Sequence, residues 1–298
     1  MNIWDQDVTL SIDGVIKLIE EQFKSIKVKD IFLIGSGFDN NVYIVNSKYL
    51  FRFPRRSIAN NLIKKEGCVL PIITQYVNTQ IPIPVFYGNP AGDYPYHFLG
   101  YNYLQGISIE EVVSIDSISS IKVLADFLSM LHSIPVEKVI NIVGYDELDR
   151  VNVKNRKNIL MKNTETINKL DIYDTFQLEA YINNLPDMQP HSEKVLVHGD
   201  LHIKNLLYDA RGVISSVIDF GDVHVGNSAC DLAIIYSIIP NQYRYMFYEN
   251  YGEVSQMTLN LARFRSILTN TYLLLHAYDS HNIKLIDKVI QSLNNSLV

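Results

Sequence analysis

The sequence predicts an α+β protein in which an antiparallel sheet with one main helix is followed by a mainly helical region. Short runs of β-branched and aromatic residues, interrupted by Gly, Asn and Ser, occupy about the first hundred residues and are typical of strands. Later in the chain, apolar residues recur at helical spacing. The pattern changes at "LQGIS", residues 104–108, so we expect two parts, 1–104 and 105–298.

The first part begins with a helix and continues with short strands. In "SIDGVIKLIEEQF" the apolar residues have helical spacing, and Ser11 is placed to cap the helix. The runs "DIFLIGSGF", "NNVYIVN" and "KYLFRFP" predict three strands, with hairpins at "GSGFDNN" and at "NSK", 46–48. A helix over about 58–76, with Pro71 inside it, precedes an extended segment, "IPIPVFYGNP", and one more strand, "YHFLGYNYLQG".

The second part alternates between helices and a short β region. "SSIKVLADFLSMLHSI" predicts an amphipathic helix, "DTFQLEAYINNL" predicts another, and the region after 228 predicts three or four more. Between them lies "VLVHGDLHIKNLLYD", 195–209, in which two apolar strands flank a run of charged and polar residues. Charges between buried strands usually serve a function, although a polar turn is the alternative interpretation.

Composition excludes several classes of protein. Apolar residues make up 47% of the 298 residues and charged residues 19%, as in ordinary folded proteins. The net charge of −6 and the lack of a basic block argue against a nucleic-acid partner. The two cysteines, Cys68 and Cys230, have no metal-ligand spacing. The N-terminus lacks the features of a signal peptide, and no run approaches the roughly 20 apolar residues of a membrane span, so we expect a cytosolic protein without a membrane partner.

Three polar residues near the two short strands carry the functional prediction. Asp200 is followed after four residues by Asn205, and "SSVIDFGD" then places Asp219 before Phe220 and Gly221. Asn205 and Asp219 would lie at the ends of neighbouring strands, where an amide oxygen and a carboxylate can converge on one Mg²⁺. Asp200, on the loop before the first strand, would orient a substrate hydroxyl and accept its proton during phosphoryl transfer.

With "HGDLHIKN" and "IDFGD", the chain resembles the aminoglycoside phosphotransferase family, whose members have a bilobal, protein-kinase-like fold. The resemblance implies a nucleotide-binding lobe in 1–104 and a catalytic and acceptor-binding lobe in 105–298. It also implies ATP or GTP as co-substrate, Mg²⁺ as cofactor, and a small hydroxyl-bearing molecule as acceptor. Asp231 resembles a family aspartate that anchors the catalytic loop.

The same resemblance implies nucleotide-binding residues in the first part. Gly35 and Gly37 stand in the first two glycine positions of the loop over the phosphates, whereas Asn40 stands in the third. Arg52 takes the place of the usual lysine that contacts the α- and β-phosphates, and Glu66 takes that of its glutamate partner. Taken alone, these residues also fit a hairpin turn, a solvated strand arginine and an exposed helix residue.

The segment "YNYLQG" resembles the family's hinge, which binds the base through backbone groups. Asn102 and Leu104 match the C=O and N–H positions, and an ordinary strand end is the alternative. Backbone contacts serve either base, so the choice between ATP and GTP stays open.

The acceptor is the least determined feature. An aminoglycoside is a polycation and favours a pocket lined with carboxylates. After "DLAIIYSIIPNQYRYMFYENYG", however, the chain contains few acids and many tyrosines. The expectation is an antibiotic, foremost an aminoglycoside, with a macrolide, an amino alcohol or a sugar as alternatives. A nucleotide-binding pseudokinase and a non-catalytic helical interaction protein are the rival functions.

Overall fold

The computed structural model describes residues 7–36, 39–186, 188 and 194–298. The chain groups into two compact units, and the main border between them falls between Gln105 and Gly106. The first unit comprises Met1–Gln75, Ile81–Gln105 and Asp219–Gly221, and the second comprises Tyr76–Gln80, Gly106–Ile218 and Asp222–Val298.

The first unit contains a five-stranded antiparallel sheet and two helices. In chain order the elements are α1 (Ile12–Gln22), β1 (Ile31–Ser36), β2 (Asn40–Val45), β3 (Tyr49–Pro54), α2 (Ser57–Ile73), β4 (Pro84–Gly88) and β5 (Phe98–Asn102). The strand order is β1-β2-β3-β5-β4. The predicted sheet with one main helix is therefore confirmed in this unit.

Local sequence signals account for two of these elements. The Ser11 hydroxyl accepts a hydrogen bond from the Gly14 N–H at 3.1 Å and caps α1 as expected. Asn46 and Ser47 adopt positive φ values of 55° and 52° in the three-residue loop between β2 and β3, where the Lys48 N–H donates to the Val45 carbonyl oxygen at 3.1 Å.

The alternation of β3 separates an aromatic core from a polar face. Phe51 and Phe53 are buried and pack with Phe98, whose ring stacks on that of Phe53 at a centroid distance of 4.4 Å. Successive side chains of a strand point to opposite sides, so Arg52 faces the other side of the sheet. There it meets Glu66 of α2.

The second unit is mainly helical. Its helices are α3 (Ser117–His132), α4 (Ile140–Val143), α5 (Val153–Lys169), α6 (Phe176–Asn183), α7 (Ala229–Ile238), α8 (Arg244–Tyr251), α9 (Gln256–Asp279) and α10 (Ile283–Leu297). Two antiparallel strand pairs complete it: β6 (Val195–Val197) with β9 (His224–Gly226), and β7 (Leu206–Tyr208) with β8 (Ile214–Val217). The predicted α+β fold class is confirmed, including the helical C-terminal region.

Helix α5 is the one long helix that the sequence analysis does not single out. Its buried apolar side chains, Val153, Leu160 and Ile167, are seven residues apart, and polar residues fill most of the space between them. So sparse a stripe is a weak signal of periodicity. Within the described residues, no helix combines the length and apolar character needed to cross a bilayer.

Candidate active site

A buried aspartate holds the start of the polar loop that follows β6. Asp231, in the first turn of α7, accepts hydrogen bonds from the backbone N–H of His198 at 2.7 Å and of Gly199 at 2.9 Å. Burial alone would raise the pKa of this carboxyl, but the hydrogen bond and charge of His132, 3.2 Å away, help to hold it below its usual range. The loop is therefore fixed by an ionised group inside the protein.

Gly199 allows the loop to pass close to the segment that leads into β9. Its φ is +86°, and a Cβ atom at this position would lie 2.3 Å from the carbonyl oxygen of Asp222. Only glycine fits both the left-handed backbone and the close approach. The next residue, Asp200, takes its position from this turn.

Asp200 lies between a histidine and an arginine. His202 Nε2 lies 3.3 Å from its Oδ2, and Arg265 Nη2 donates to its Oδ1 at 3.4 Å. Burial would raise the pKa of the carboxyl, but His202, Arg265 and His198 together lower it well below the usual value. Asp200 is thus a carboxylate at neutral pH, and its side chain remains 38% exposed. It can accept a hydrogen bond from a hydroxyl group that reaches it.

Asn205 closes the other end of this loop. Its Nδ2 donates to the carbonyl oxygen of Asp200 at 2.9 Å, so its Oδ1 faces the opposite way. The backbone N–H of Ile218 donates to the carbonyl oxygen of Asn205 at 2.9 Å, next to the pairing of β7 with β8. Asp219 follows Ile218 in the chain and has a positive φ of 68°. Asp and Asn tolerate that conformation better than most residues.

Arg52 in the first unit bridges two carboxylates. Its Nη1 donates to both oxygens of Glu66, at 3.1 and 2.9 Å, and its Nη2 donates to Asp219 Oδ1 at 2.8 Å. The Tyr101 hydroxyl donates to Glu66 Oε1 at 2.9 Å. Burial would lower the pKa of the guanidinium, but Asp219 and Glu66 raise it well above its ordinary value. A permanent cation is therefore held at the sheet surface.

Of the remaining predicted nucleotide-binding residues, Gly35 and Asn102 lie on strands of the first unit. Gly35 is in β1, where, among the described residues, a Cβ would meet only the Cβ of Val42, at 4.0 Å. Gly37 lies outside the described residues. Asn102 is the exposed last residue of β5, and Leu104 follows it, before the border at Gln105.

Asp200 lines a cavity of about 280 Å³ within the second unit. Arg150, Arg156 and Arg265 also face it, together with Asp222. The sequence analysis missed the three arginines, because no local motif connects them with Asp200. Arg265 has a weak signal in retrospect, since it stands between the apolar Phe264 and Ile267 on α9, and its side chain is only 12% exposed.

Solved structures similar to this chain are antibiotic phosphotransferases. The GDP complex of aminoglycoside 2'-phosphotransferase-IIIa is 22% identical, with 94% of this chain and 96% of that chain covered and a TM-score of 0.67. The streptomycin–ATP–APH(2")-IIa ternary complex is 20% identical over 96% and 97%, with a TM-score of 0.61. Macrolide 2'-phosphotransferase MphH from Brachybacterium faecium is 15% identical over 95% and 97%, also with a TM-score of 0.61. These similarities show the protein-kinase-like fold.

A family model described as "Phosphotransferase enzyme family" (APH) matches residues 30–266. The match covers well over half of the chain and includes Asp200, Asn205 and Asp219. The predicted resemblance to aminoglycoside phosphotransferases is confirmed, as is the prediction of a phosphotransferase with an alcohol group as acceptor. The chain therefore belongs to the phosphotransferase enzyme family.

Proposed function

We propose that this chain transfers the γ-phosphate of ATP or GTP to a hydroxyl group of a small-molecule acceptor. One observation carries the proposal within the family. The ionised carboxylate of Asp200 lies on a loop anchored by Asp231 and opens onto a cavity of about 280 Å³. A carboxylate so placed can orient a hydroxyl group, which is the main task that phosphoryl transfer leaves to the protein.

The nucleotide is assigned to the first unit. Arg52 supplies a permanent charge for the α- and β-phosphates, and its bonds to Glu66 hold the guanidinium in one orientation. Gly35 leaves room for a phosphate to approach the backbone of β1. Asn102 and Leu104 are the proposed hinge contacts of the base. Gly37 is proposed, on sequence grounds, as part of the loop over the phosphates. Similar structures carry GDP in one case and ATP in another, so both nucleotides are included.

Asn205 and Asp219 are the proposed ligands of Mg²⁺. Both supply the hard oxygen donors that Mg²⁺ prefers, and the hydrogen bond from Asn205 Nδ2 to Asp200 leaves the Oδ1 for a cation. Within the described ranges, no group of three or more His, Cys, Asp or Glu side chains forms a complete metal site. We assign the ion to these two side chains together with phosphate oxygens of the nucleotide. When bound, Mg²⁺ neutralises phosphate charge.

The chain's own residues then act on the acceptor. The carboxylate of Asp200 accepts a hydrogen bond from the acceptor hydroxyl and directs its oxygen toward the γ-phosphorus. As the new P–O bond forms, the bond from the γ-phosphorus to the bridging oxygen breaks, ADP or GDP leaves, and Asp200 takes the hydroxyl proton. Arg265 and His202 are positioning residues, because they hold the carboxylate from either side.

Antibiotic acceptors, foremost aminoglycosides and then macrolides, enter this proposal because similar structures carry those names. At sequence identities of 15 to 22%, the acceptors of those proteins do not identify the acceptor of this chain. The residues around Asp200 in this chain bear on the choice more directly.

The test of the proposal is transfer from γ-labelled ATP and GTP to a panel of aminoglycosides, macrolides, sugars, amino alcohols and hydroxy acids. Asp200→Asn should lower kcat by about 10²- to 10⁴-fold, because it removes the base but keeps the shape. Asp126→Asn, at an exposed residue paired with Lys122 on α3, is the matched control and should leave kcat unchanged.

Three results would contradict the proposal. Undiminished transfer by Asp200→Asn would remove the assigned base. A rise in melting temperature with Mg·ATP but no transfer to any acceptor would indicate a nucleotide-binding module without turnover. No rise and no transfer would indicate the non-catalytic interaction protein, since a ligand that binds the native state stabilises it.

A further inference from the structure

Guanidinium groups outnumber carboxylates around the cavity that Asp200 lines. Arg150, Arg156 and Arg265 face it, against Asp200 and Asp222. All five side chains belong to the second unit. Which of these groups already has a partner of opposite charge decides which acceptors the cavity favours.

Both carboxylates already have arginine partners. Asp222 Oδ1 accepts a hydrogen bond from Arg150 Nη2 at 2.5 Å, and Arg150 also bonds Asp146 at 2.7 Å. Asp200 accepts from Arg265 at 3.4 Å. An ammonium group in this cavity would have to compete with a guanidinium for each carboxylate. The cavity is therefore unfavourable for a polycation.

Arg156 is the cation of the cavity that lacks a carboxylate partner among the described residues. It lies in the first turns of α5, where its Nη2 donates to the carbonyl oxygen of Leu148 and its Nε donates to that of Asp149 at 3.4 Å. Carbonyl oxygens orient a guanidinium without neutralising its charge. A planar guanidinium held in this way is suited to bind a carboxylate or phosphate group through paired hydrogen bonds.

The size of the cavity and its apolar residues limit the rest of the acceptor. Its volume of about 280 Å³ lies just below the roughly 300–1,000 Å³ usual for pockets of drug-sized ligands. Tyr272 and Leu148, both partly exposed, give it apolar surface that a carbon skeleton can contact. A cavity of this volume has room for a small molecule.

We infer that the acceptor is a small hydroxyl compound that also carries an anionic group, a carboxylate or a phosphate monoester. Its hydroxyl group lies at Asp200, and its anionic group is bound by Arg156. The inference rests on the proposed function and narrows its acceptor class. It departs from the expectation of an aminoglycoside, which the charge around the cavity disfavours.

The test compares acceptors that share a skeleton and differ in charge. One series is glucuronate, glucose 6-phosphate, glucose and glucosamine; the other is glycerate, glycerol and serinol; streptomycin is the polycation. ADP and GDP release are measured with Mg·ATP and Mg·GTP for the wild type, Arg156→Gln and Arg211→Gln. Arg211 is an exposed residue paired with Asp209 and serves as the control.

In at least one series the anionic member should have the highest kcat/KM, by about tenfold or more, which is the effect of one charge-assisted hydrogen bond. Arg156→Gln should remove that preference through a higher KM for the anionic member, whereas Arg211→Gln should keep it. The melting temperature of each variant reports whether it is folded. Carboxylate and phosphate members distinguish the two forms of the anionic group.

Three outcomes would overturn the inference and leave the phosphotransfer proposal intact. The first is a preference for streptomycin or an amine member that is lost in Asp200→Asn, and the second is an anion preference that survives Arg156→Gln. Nucleotide hydrolysis with no response to any anion would also overturn it. The absence of any ADP or GDP formation, with acceptors or with water, would instead reject the proposed function itself.

Discussion

Arg52 of β3 forms an ion pair with Glu66 of α2, in which the arginine Nη1 lies 3.1 and 2.9 Å from the two carboxylate oxygens. Glu66 is only 1% exposed. We expect Glu66→Gln to lower the free energy of unfolding by about 3 kcal/mol, because it leaves a buried guanidinium with only one charged partner. The KM for ATP should rise as Arg52 loses its fixed orientation. Urea denaturation and initial rates measure the two effects.

The control for this prediction is a double-mutant cycle with Arg52→Gln. Once the guanidinium is gone, Glu66→Gln should destabilise much less, with a coupling energy of about 1–3 kcal/mol. Additive effects of the two substitutions would show that the pair contributes nothing of its own.

The second prediction concerns Asp231, which accepts the backbone N–H groups of His198 and Gly199. Asp231→Asn would turn an amide NH₂ toward one of these donors and remove a charge-assisted hydrogen bond. We expect a loss of about 2–4 kcal/mol in the free energy of unfolding, together with a lower kcat. The exposed Asp126→Asn on α3 should change the stability by less than about 0.5 kcal/mol. Equal stability of the two variants would show that Asp231 does not anchor the loop.

The sequence predicts features whose signals are local. The cap at Ser11 and the strands around Phe51 and Phe53 follow from neighbouring residues, and the structure contains them. Asp200 and Asn205 lie on one short segment between two strands, so their spacing alone places them on one loop. Local rules of this kind depend on backbone preference and on the two-residue period of strands.

The sequence does not reveal contacts between distant segments. Arg265 meets Asp200 across 65 residues, and Arg156 reaches the same cavity from α5. In "ELDRVNVKNR" the arginines have the pattern of solvated charges, and only tertiary packing turns them toward a cavity. The charge around the cavity that Asp200 lines is therefore a property of the fold, and the expectation of an aminoglycoside from family resemblance could not take it into account.

The third prediction follows from His224 in β9. Burial lowers the pKa of its imidazole, and the charge of Arg150 adds to this, whereas the hydrogen bond to the Asp222 carbonyl, Asp146 and Asp231 act in the opposite direction. In the unfolded chain His224 gains a proton below pH about 6.5, while the native state gains it only at lower pH. The contribution to stability is therefore present above that pH and is lost as the pH falls below it.

His224→Asn keeps a donor for the Asp222 carbonyl but cannot titrate. Between pH 7 and 5, the slope of the free energy of unfolding against pH should decrease by up to about 1.4 kcal/mol per pH unit in this variant. His281→Asn, at an exposed residue, is the control for the change of a histidine to asparagine. Urea denaturation at several pH values measures both, and identical slopes for His224→Asn and the wild type would contradict the prediction.

The last prediction separates backbone strain from steric overlap at Gly199. Gly92 has a positive φ of 56° and nothing within 4 Å of an added Cβ, so Gly92→Ala should destabilise by about 1 kcal/mol from strain alone. At Gly199 the Cβ would also lie 2.3 Å from the Asp222 carbonyl oxygen and 2.7 Å from His224 Nδ1. Both atoms belong to the segment around β9, so the loop would have to move away and take Asp200 with it.

We expect Gly199→Ala to lower the free energy of unfolding by at least about 2 kcal/mol more than Gly92→Ala. Its kcat should also fall under conditions in which the variant is fully folded, because a displaced carboxylate no longer orients the acceptor. Unchanged kcat in a folded but destabilised Gly199→Ala would mean that the position of Asp200 does not depend on this turn.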